Sequence, residues 1–361
     1  MREKRLAPRK ITTRFTLDKG YVPVSVSNES EARVKSSLDV GVIGVGSMGA
    51  NHARVLSQIS NLAGVFDTNA GRAKEVAERF GTSPYQDADS LLADVDAVSI
   101  ALPTSLHNQM LERAVRHGTH ALIEKPISID PQATLKLLKS AEQMGLQVAA
   151  GHIERFNPAV GFARTALEKG QFGHLIGMSA KRVSSFPTRV RDVGVVLDLA
   201  IHDLDVMCYL VPARVVRVFA SGGRANGGEF EDHATVLLEF ENGVTGTSET
   251  SWLTPMKVRK LALTCDKKYV ELDYMSQSVQ VSSHVYTDID PARLYDMPSQ
   301  LSEQRVNLER QEPLQLELGN FLRAAEGREK LLVPGVEGVK AVQLGLDALR
   351  SMRTREAVSL A

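Results

Sequence analysis

The chain is short of cysteine, of aromatic side chains and of net charge, and each shortage removes a class of protein. Two of its 361 residues are cysteine, too few for a four-cysteine metal site or a disulfide framework. Cys208 and Cys265 lie in apolar helix-like and strand-like contexts, so a reducing, cytoplasmic home is expected. Lys plus Arg and Asp plus Glu number 43 each, giving a formal net charge of zero. A nucleic-acid protein needs a basic surplus, so none is expected as a partner. No run approaches the roughly eighteen uncharged apolar residues of a membrane span. The opening "MREKRLAPRKITTRFTLDKG" is basic but has no apolar core followed by a small-residue cleavage site. It reads as an N-terminal extension over residues 1–37, partly disordered, and not as a secretory leader.

What remains is ordinary globular material, 43% apolar and 24% charged, in a chain long enough for two domains. From Leu38 short β-rich runs alternate with helical periodicity. "LDVGVIGV", "NLAGVFD", "DAVSIALP", "HALIEKP" and "QVAAGH" read as five strands. Between them lie four helices, one closed by Gly81 and one opened by Asp130 with Pro131 at its first position. Such alternation predicts a parallel sheet with helices on both faces. After Gly151 the rhythm changes to consecutive strand-like runs with short turns, including Asn242-Gly243, a hairpin signal. The fold class is therefore α/β: a domain over 38–152 built on a parallel sheet, then an α+β domain over 153–361 with a mainly antiparallel sheet. Residues 285–312 are polar with little periodicity and read as a loop region.

Two stretches carry chemistry. "GVGSMG" ends the first strand and opens the first helix, the context a G-x-G-x-x-G fingerprint requires. Gly44 permits the tight turn, Gly46 lets backbone approach a pyrophosphate, and Gly49 lets helix pack on strand. Asp67 ends the second strand, where a carboxylate binds ribose hydroxyls and repels a 2′-phosphate. The following "TNAG" offers no arginine to such a phosphate, so NAD is favoured over NADP. The second stretch, "LDLAIHDLDVMCYL" at 197–210, is an apolar helix whose Asp198, His202, Asp205 and Tyr209 share one narrow stripe at a step of about 100°. Asp203, off the stripe, reads as a structural residue paired with backbone or arginine.

Together "GVGSMG", "EKP" and "DLAIHD" resemble the Gfo/Idh/MocA family of nicotinamide-dependent oxidoreductases, over roughly residues 38–355. The resemblance implies a Rossmann dinucleotide-binding domain over 38–152 followed by a substrate-binding and oligomerisation domain, and a homodimer or homotetramer formed through the open sheet of the latter. It implies cofactor contacts from Gly44, Gly46, Ser47, Met48, Gly49, Asp67, Pro103, Thr104, His107, Glu124 and Lys125. "GHIERFNPAV", "RDVGVVLDLAIHDLDVM" and "SWLTPMKVR" are similar to the branch that oxidises the 3-hydroxyl of UDP-N-acetylglucosamine to a ketone. An aminotransferase can then use that product, which makes such an enzyme a pathway partner.

Oxidising a secondary alcohol needs a hydride acceptor, a base and charge stabilisation at the carbinol oxygen. Lys125, at a strand's carboxyl end, suits the last task, and Asp198 and His202 face the same cleft. His202 is the first choice of base and Lys125 its rival. Arg155, Arg182, Arg189 and Arg191 are candidates for a substrate pyrophosphate, Asn157 for a sugar or amide oxygen. Trp252, Lys257 and Arg259 would bound the nucleotide end. His107 and His152 read as cofactor-neighbourhood or packing residues, and no metal site is expected. Two alternatives stay open: an NAD-dependent dehydrogenase of a free polyol or monosaccharide, as in inositol oxidation, and a non-catalytic NAD-binding regulator.

Overall fold

The computed structural model describes residues 35–186, 192–285 and 300–360. The first half contains β1 (Asp39–Ile43), α1 (Ser47–Ile59), β2 (Asn61–Phe66), α2 (Ala70–Phe80), β3 (Ser83–Pro84), α3 (Ala88–Ala93), β4 (Ala97–Ile100), α4 (His107–His117), β5 (His120–Glu124), α5 (Pro131–Gln143) and β6 (Val148–Gly151). Its six strands run parallel in the order β3-β2-β1-β4-β5-β6. The strands are buried on both faces, which is why they read as near-continuous apolar runs. α5 is capped by the Asp130 side chain, which accepts from Ala133 N, with Pro131 in its first turn. Gly81 ends α2 in the left-handed conformation. The short pair β3 and α3 carries too few residues to display a period, and the sequence reading passed over it.

The second half holds α6 (Pro158–Glu168), β7 (Leu175–Ser185), α7 (Ile201–Leu210), β8 (Val215–Gly223), β9 (His233–Phe240), β10 (Thr245–Ser251), β11 (Leu253–Cys265), β12 (Tyr269–Asp273), β13 (Ser278–Val285), β14 (Gln300–Val306), α8 (Pro313–Ala325), α9 (Gly335–Thr354) and β15 (Val358–Ser359). Nine strands form one sheet, β14-β13-β12-β11-β7-β10-β9-β8-β15. Every pairing is antiparallel except β10 with β7. The β9–β10 hairpin turns at Asn242-Gly243, with Gly243 at φ +83. Part of the polar 285–312 stretch is not loop: β14 pairs with β13, an edge strand whose polar composition hid it. Residues 286–299 lie outside the described residues.

α7 and α9 lie between the sheets. Leu204, Val206, Met207, Leu344 and Ala348 pack into the second sheet's core, while Ile201, Val339 and Val342 pack under the first. α8 crosses back completely. Its Leu314, Leu318, Phe321 and Leu322 share a core with Val40, Val42 and Leu56 of the first domain. The segment after residue 312 thus belongs physically to both halves, and a single boundary at 152 does not capture it.

Gly49 sets the approach of α1 to β1, since a Cβ there would sit 1.7 Å from Gly44 O. Gly49→Ala is expected to cost about 2–3 kcal/mol by overpacking against backbone, measured by denaturant unfolding; a loss below ~0.5 kcal/mol would contradict this packing.

Candidate active site

The cradle at the carboxyl end of β1 is built from backbone. Gly44 has φ +85, where a side chain would strike Ala101 O at 2.6 Å. Gly46 caps α1 without a side-chain cap, and a Cβ on it would meet nothing within 4 Å. The first α-helical bond runs from Ala50 N to Gly46 O, so the amides of Ser47 and Met48 precede it, unclaimed by the helix. Such amides suit a pyrophosphate. Asp67 closes the cradle: its carboxylate accepts from Val45 N at 3.0 Å and Asn69 N at 2.8 Å. An arginine is nearer than the sequence reading allowed. Arg72, one helical turn into α2, places Nη1 3.6 Å from Asp67 Oδ2.

The second cluster straddles the two sheets. Lys125, just past β5, extends its ammonium to the segment before α7, where it donates to Asp198 Oδ1 at 2.8 Å and to Asp198 O at 2.9 Å. That segment is not the expected α-helix. Val196–Ala200 forms a π-helical turn and α7 proper begins at Ile201. Such turns loosen the regular ladder and recur at functional sites; here the carbonyl of Asp198 meets a lysine. Glu231 accepts from Val196 N at 3.0 Å, tying down the turn's start.

His202 is 7% exposed. Among the described residues its Nδ1 is sealed without a partner, whereas Nε2 retains contact with solvent. Burial first, then the positive charges of Lys125, Arg182 and Arg259, hold the imidazole well below its ordinary pKa. The ring is uncharged at neutral pH.

The expected single polar stripe divides into separate facets. Asp198 meets Lys125. Asp203 turns toward the second sheet, where Arg182 Nε of β7 donates to it at 2.9 Å and Ser248 Oγ of β10 at 3.0 Å. Asp205 faces Arg155, which grips it bidentately at 2.9 and 2.7 Å. Tyr209 lies under the guanidinium groups of Arg155 and Arg164.

Those pairings remove two arginines from the pyrophosphate assignment. Arg182 is 1% exposed and also donates to Glu154 at 2.9 Å; Arg155 is 5% exposed and shares Glu337 as well as Asp205. Both are structural cations, consumed by carboxylates before a substrate arrives. Asn157 is a cap: its side chain accepts from Ala159 N and donates to Tyr274 O. Trp252 is buried in the second core, edge-on to Phe186 at 5.4 Å. Arg189 and Arg191 lie outside the described residues.

Several expected cofactor contacts are likewise braces. The Glu124 carboxylate faces inward, accepting from His52 Nε2 at 3.0 Å and from Lys125 N at 3.1 Å. His107 sits between Leu102 O and Pro126 O at 2.9 and 2.8 Å, joining the ends of β4 and β5. Thr104 N donates to Asp192 Oδ2 at 2.8 Å, linking the β4 loop to the second domain. Pro103 is exposed beside it.

Comparison with known proteins adds to this geometry. A model described as an oxidoreductase family with an NAD-binding Rossmann fold matches residues 38–152, and a GFO/IDH/MocA C-terminal domain matches 161–271. The UDP-N-acetylglucosamine 3-dehydrogenase of Acidithiobacillus ferrooxidans is 34% identical over 306 residues, 85% of this chain and 94% of that protein. The chain belongs to the Gfo/Idh/MocA family. It is an NAD-dependent oxidoreductase, as the family resemblance implied. A solved structure of the Acidithiobacillus ferrooxidans enzyme matches with a TM-score of 0.79 at 32% identity, covering 88% of this chain and 98% of that one. The myo-inositol 2-dehydrogenase of Thermotoga maritima is 26% identical over 337 residues, 89% of this chain and 98% of that protein.

Three groups in this family member escaped sequence reasoning. His52, on the buried side of α1, links Ser99 Oγ at 2.7 Å to Glu124; a histidine at an apolar helical position was the available signal. Glu154 shares Arg182 between "IERF" and β7, a pairing that sequence separation conceals. Glu317 of α8 is fully buried, with both carboxyl oxygens sealed and unpartnered. Burial, reinforced by Glu124, Asp205 and Glu154, raises its pKa well above the usual carboxylate value, so it stays protonated.

The buried groups make stability depend on pH from both sides. His107, His152 and His202 are each held below the ordinary 6.5, chiefly by burial. Their contribution is complete above about pH 6.5 and falls as the unfolded chain takes up protons that the folded chain refuses. Glu317 acts oppositely: its raised pKa leaves stability complete below the ordinary value of 4.5, eroding as pH rises. Thermal melts from pH 5 to 8 should therefore show Glu317→Gln gaining on the wild type as pH rises. A pH-independent difference would contradict a protonated Glu317.

Proposed function

We propose that the protein oxidises a secondary hydroxyl of a nucleotide sugar, converting UDP-N-acetylglucosamine to its 3-keto derivative. One observation carries the chemistry: an ammonium with a donor to spare beside an uncharged imidazole. Lys125 spends two of its three N–H bonds on Asp198 and keeps the third for an oxygen. His202 offers Nε2 to the cleft in a form able to accept a proton.

Alcohol oxidation removes a hydride from carbon and a proton from oxygen. The amides of Ser47 and Met48 and the Asp67 carboxylate would hold NAD, which would supply the hydride acceptor. Lys125 donates to the reacting oxygen and stabilises the negative charge that grows as its proton departs. His202 takes that proton at Nε2. The imidazolium so formed is acidic beside Lys125 and passes its proton readily to solvent. Asp198 holds the ammonium in place through its carboxylate and its carbonyl. This division of labour favours His202 over Lys125 as the base.

The nucleotide-sugar assignment draws on the 34%-identical relative, which this chain matches over 94% of that protein's length. A polyol reading is favoured by the likeness to the Thermotoga maritima enzyme, matched over 98% of its length. A non-catalytic NAD binder would have no use for the Lys125, Asp198 and His202 arrangement. The reading extends to a homodimer or homotetramer, supported by apolar side chains on the second sheet's outer face, where Phe219 and Leu237 are exposed and directly paired. It also extends to a cytoplasmic setting, in keeping with two free thiols, and to an aminotransferase that consumes the ketone. Among the described residues no helix is long and apolar enough to cross a membrane.

The deciding experiment mixes protein, NAD and UDP-N-acetylglucosamine beside UDP-glucose and myo-inositol, following NADH absorbance and sugar mass. A UDP-sugar lighter by two hydrogens, formed with NADH and located at C3 by NMR, is expected; oxidation of myo-inositol alone would overturn the assignment. His202→Asn should lower turnover by about 10²- to 10⁴-fold while NAD affinity, read by fluorescence titration, holds. Unchanged turnover would remove His202 from the mechanism.

A further inference from the structure

Arg182 and Arg259 are direct cross-strand neighbours in the β7–β11 register. Like charges placed opposite one another repel, and the two residues resolve this differently. Arg182 is sealed, held by Asp203 and Glu154 and stacked over the Tyr274 ring at 4.9 Å. Arg259 stays half-buried. Its nearest anionic atom is the Glu154 Oε1 that Arg182 already holds, 3.8 Å from its Nη1, and its guanidinium makes no hydrogen bond among the described residues. A side chain 26% exposed thus carries a planar donor fork engaged, among the described residues, only by a long ion pair to a carboxylate that Arg182 already holds.

Its location is fixed by the charges it meets. Besides Arg182, Glu154 and Asp203, Arg259 interacts with Asp198, and it is one of the cations felt by His202. The Arg259 guanidinium therefore lies near enough for its charge to act on the proton acceptor. Burial, and then Arg182, make the free enzyme an unfavourable place for its charge, so an anion arriving there relieves both penalties at once.

We propose that Arg259 anchors an anionic substituent of the same substrate whose hydroxyl is oxidised. This rests on the nucleotide-sugar reading and deepens it. Two substituents have that chemistry: the phosphate on the anomeric carbon of a nucleotide sugar, and the carboxylate of a sugar acid. A neutral polyol has neither. The same contact links recognition to chemistry. His202 is faced by Lys125 from the end of β5, His152 from the end of β6, Arg182 from β7 and Arg259 from β11. An anion on Arg259 cancels one of these positive charges and makes the imidazole a better base once substrate is in place.

The test compares wild type, Arg259→Gln and Arg259→Lys with UDP-N-acetylglucosamine, UDP-N-acetylglucosaminuronic acid and free N-acetylglucosamine. Fluorescence titration of NAD and thermal melts report on folding. Arg259→Gln should raise KM for the UDP-sugar by about 10- to 100-fold, the size of a charge-assisted contact, with NAD affinity unchanged. Arg259→Lys should recover part of the loss. The advantage of the UDP-sugar over the free sugar should shrink in Arg259→Gln. A KM penalty on both UDP-sugars alike identifies the phosphate; a penalty on the uronate alone identifies the carboxylate. If the wild type oxidises the UDP-sugars and Arg259→Gln matches it in KM, the anchor is refuted while the nucleotide-sugar reading stands. If the wild type oxidises only uncharged sugars, both fall.

Discussion

The contact between Lys125 and Asp198 joins the two domains at the point where chemistry is proposed to occur. Lys125 belongs to the end of a parallel strand, Asp198 to a π-helical turn in the second half, and 73 residues separate them. The lysine is bound by both the carboxylate and the carbonyl of one residue. Its remaining donor can therefore point in few directions. Substrate must enter between sheets whose relative placement this ion pair helps define.

The surrounding polar groups serve that placement. Ion pairs buried this deeply add little net stability, because desolvation offsets attraction, yet removing one partner is costly. Arg155 with Asp205 and Arg182 with Asp203 and Glu154 therefore act as registration devices: α7 can seat against the second sheet and the 3-10 turn Ile153–Phe156 in only one way. His52 and Glu124 do the same beneath Lys125. The chain commits most of its interior cations to carboxylates and leaves very few to meet a ligand.

This distribution explains what sequence could and could not reveal. The Gly44, Gly46 and Gly49 cradle, the Asp130-Pro131 helix start and the Asn242-Gly243 turn were legible because each depends on local backbone geometry that a few neighbouring residues dictate. Lys125, Asp198 and His202 emerged from a family resemblance combined with helical spacing. Arg155 and Arg182 were misread as substrate ligands because an arginine's partner is a tertiary fact; Asp205 and Asp203 lie 50 and 21 residues away. The π-helical turn was invisible for a related reason, since "VLDLA" has no composition that distinguishes it from an α-helix. β14 escaped because an edge strand needs no apolar alternation, and the placement of α8, though not its helicity, because an amphipathic face does not say which sheet it covers.

The central claim is that Lys125 and Asp198 act as one unit in hydride transfer. A double-mutant cycle on the single-turnover rate of NADH formation tests it, using Lys125→Met, Asp198→Asn and the combined variant, each saturated with NAD. If the pair is one unit, the double variant is no slower than Lys125→Met alone, because Asp198 acts on the reaction through the Lys125 ammonium. Losses that multiply across the two substitutions would mean that each residue acts independently, and would contradict the account.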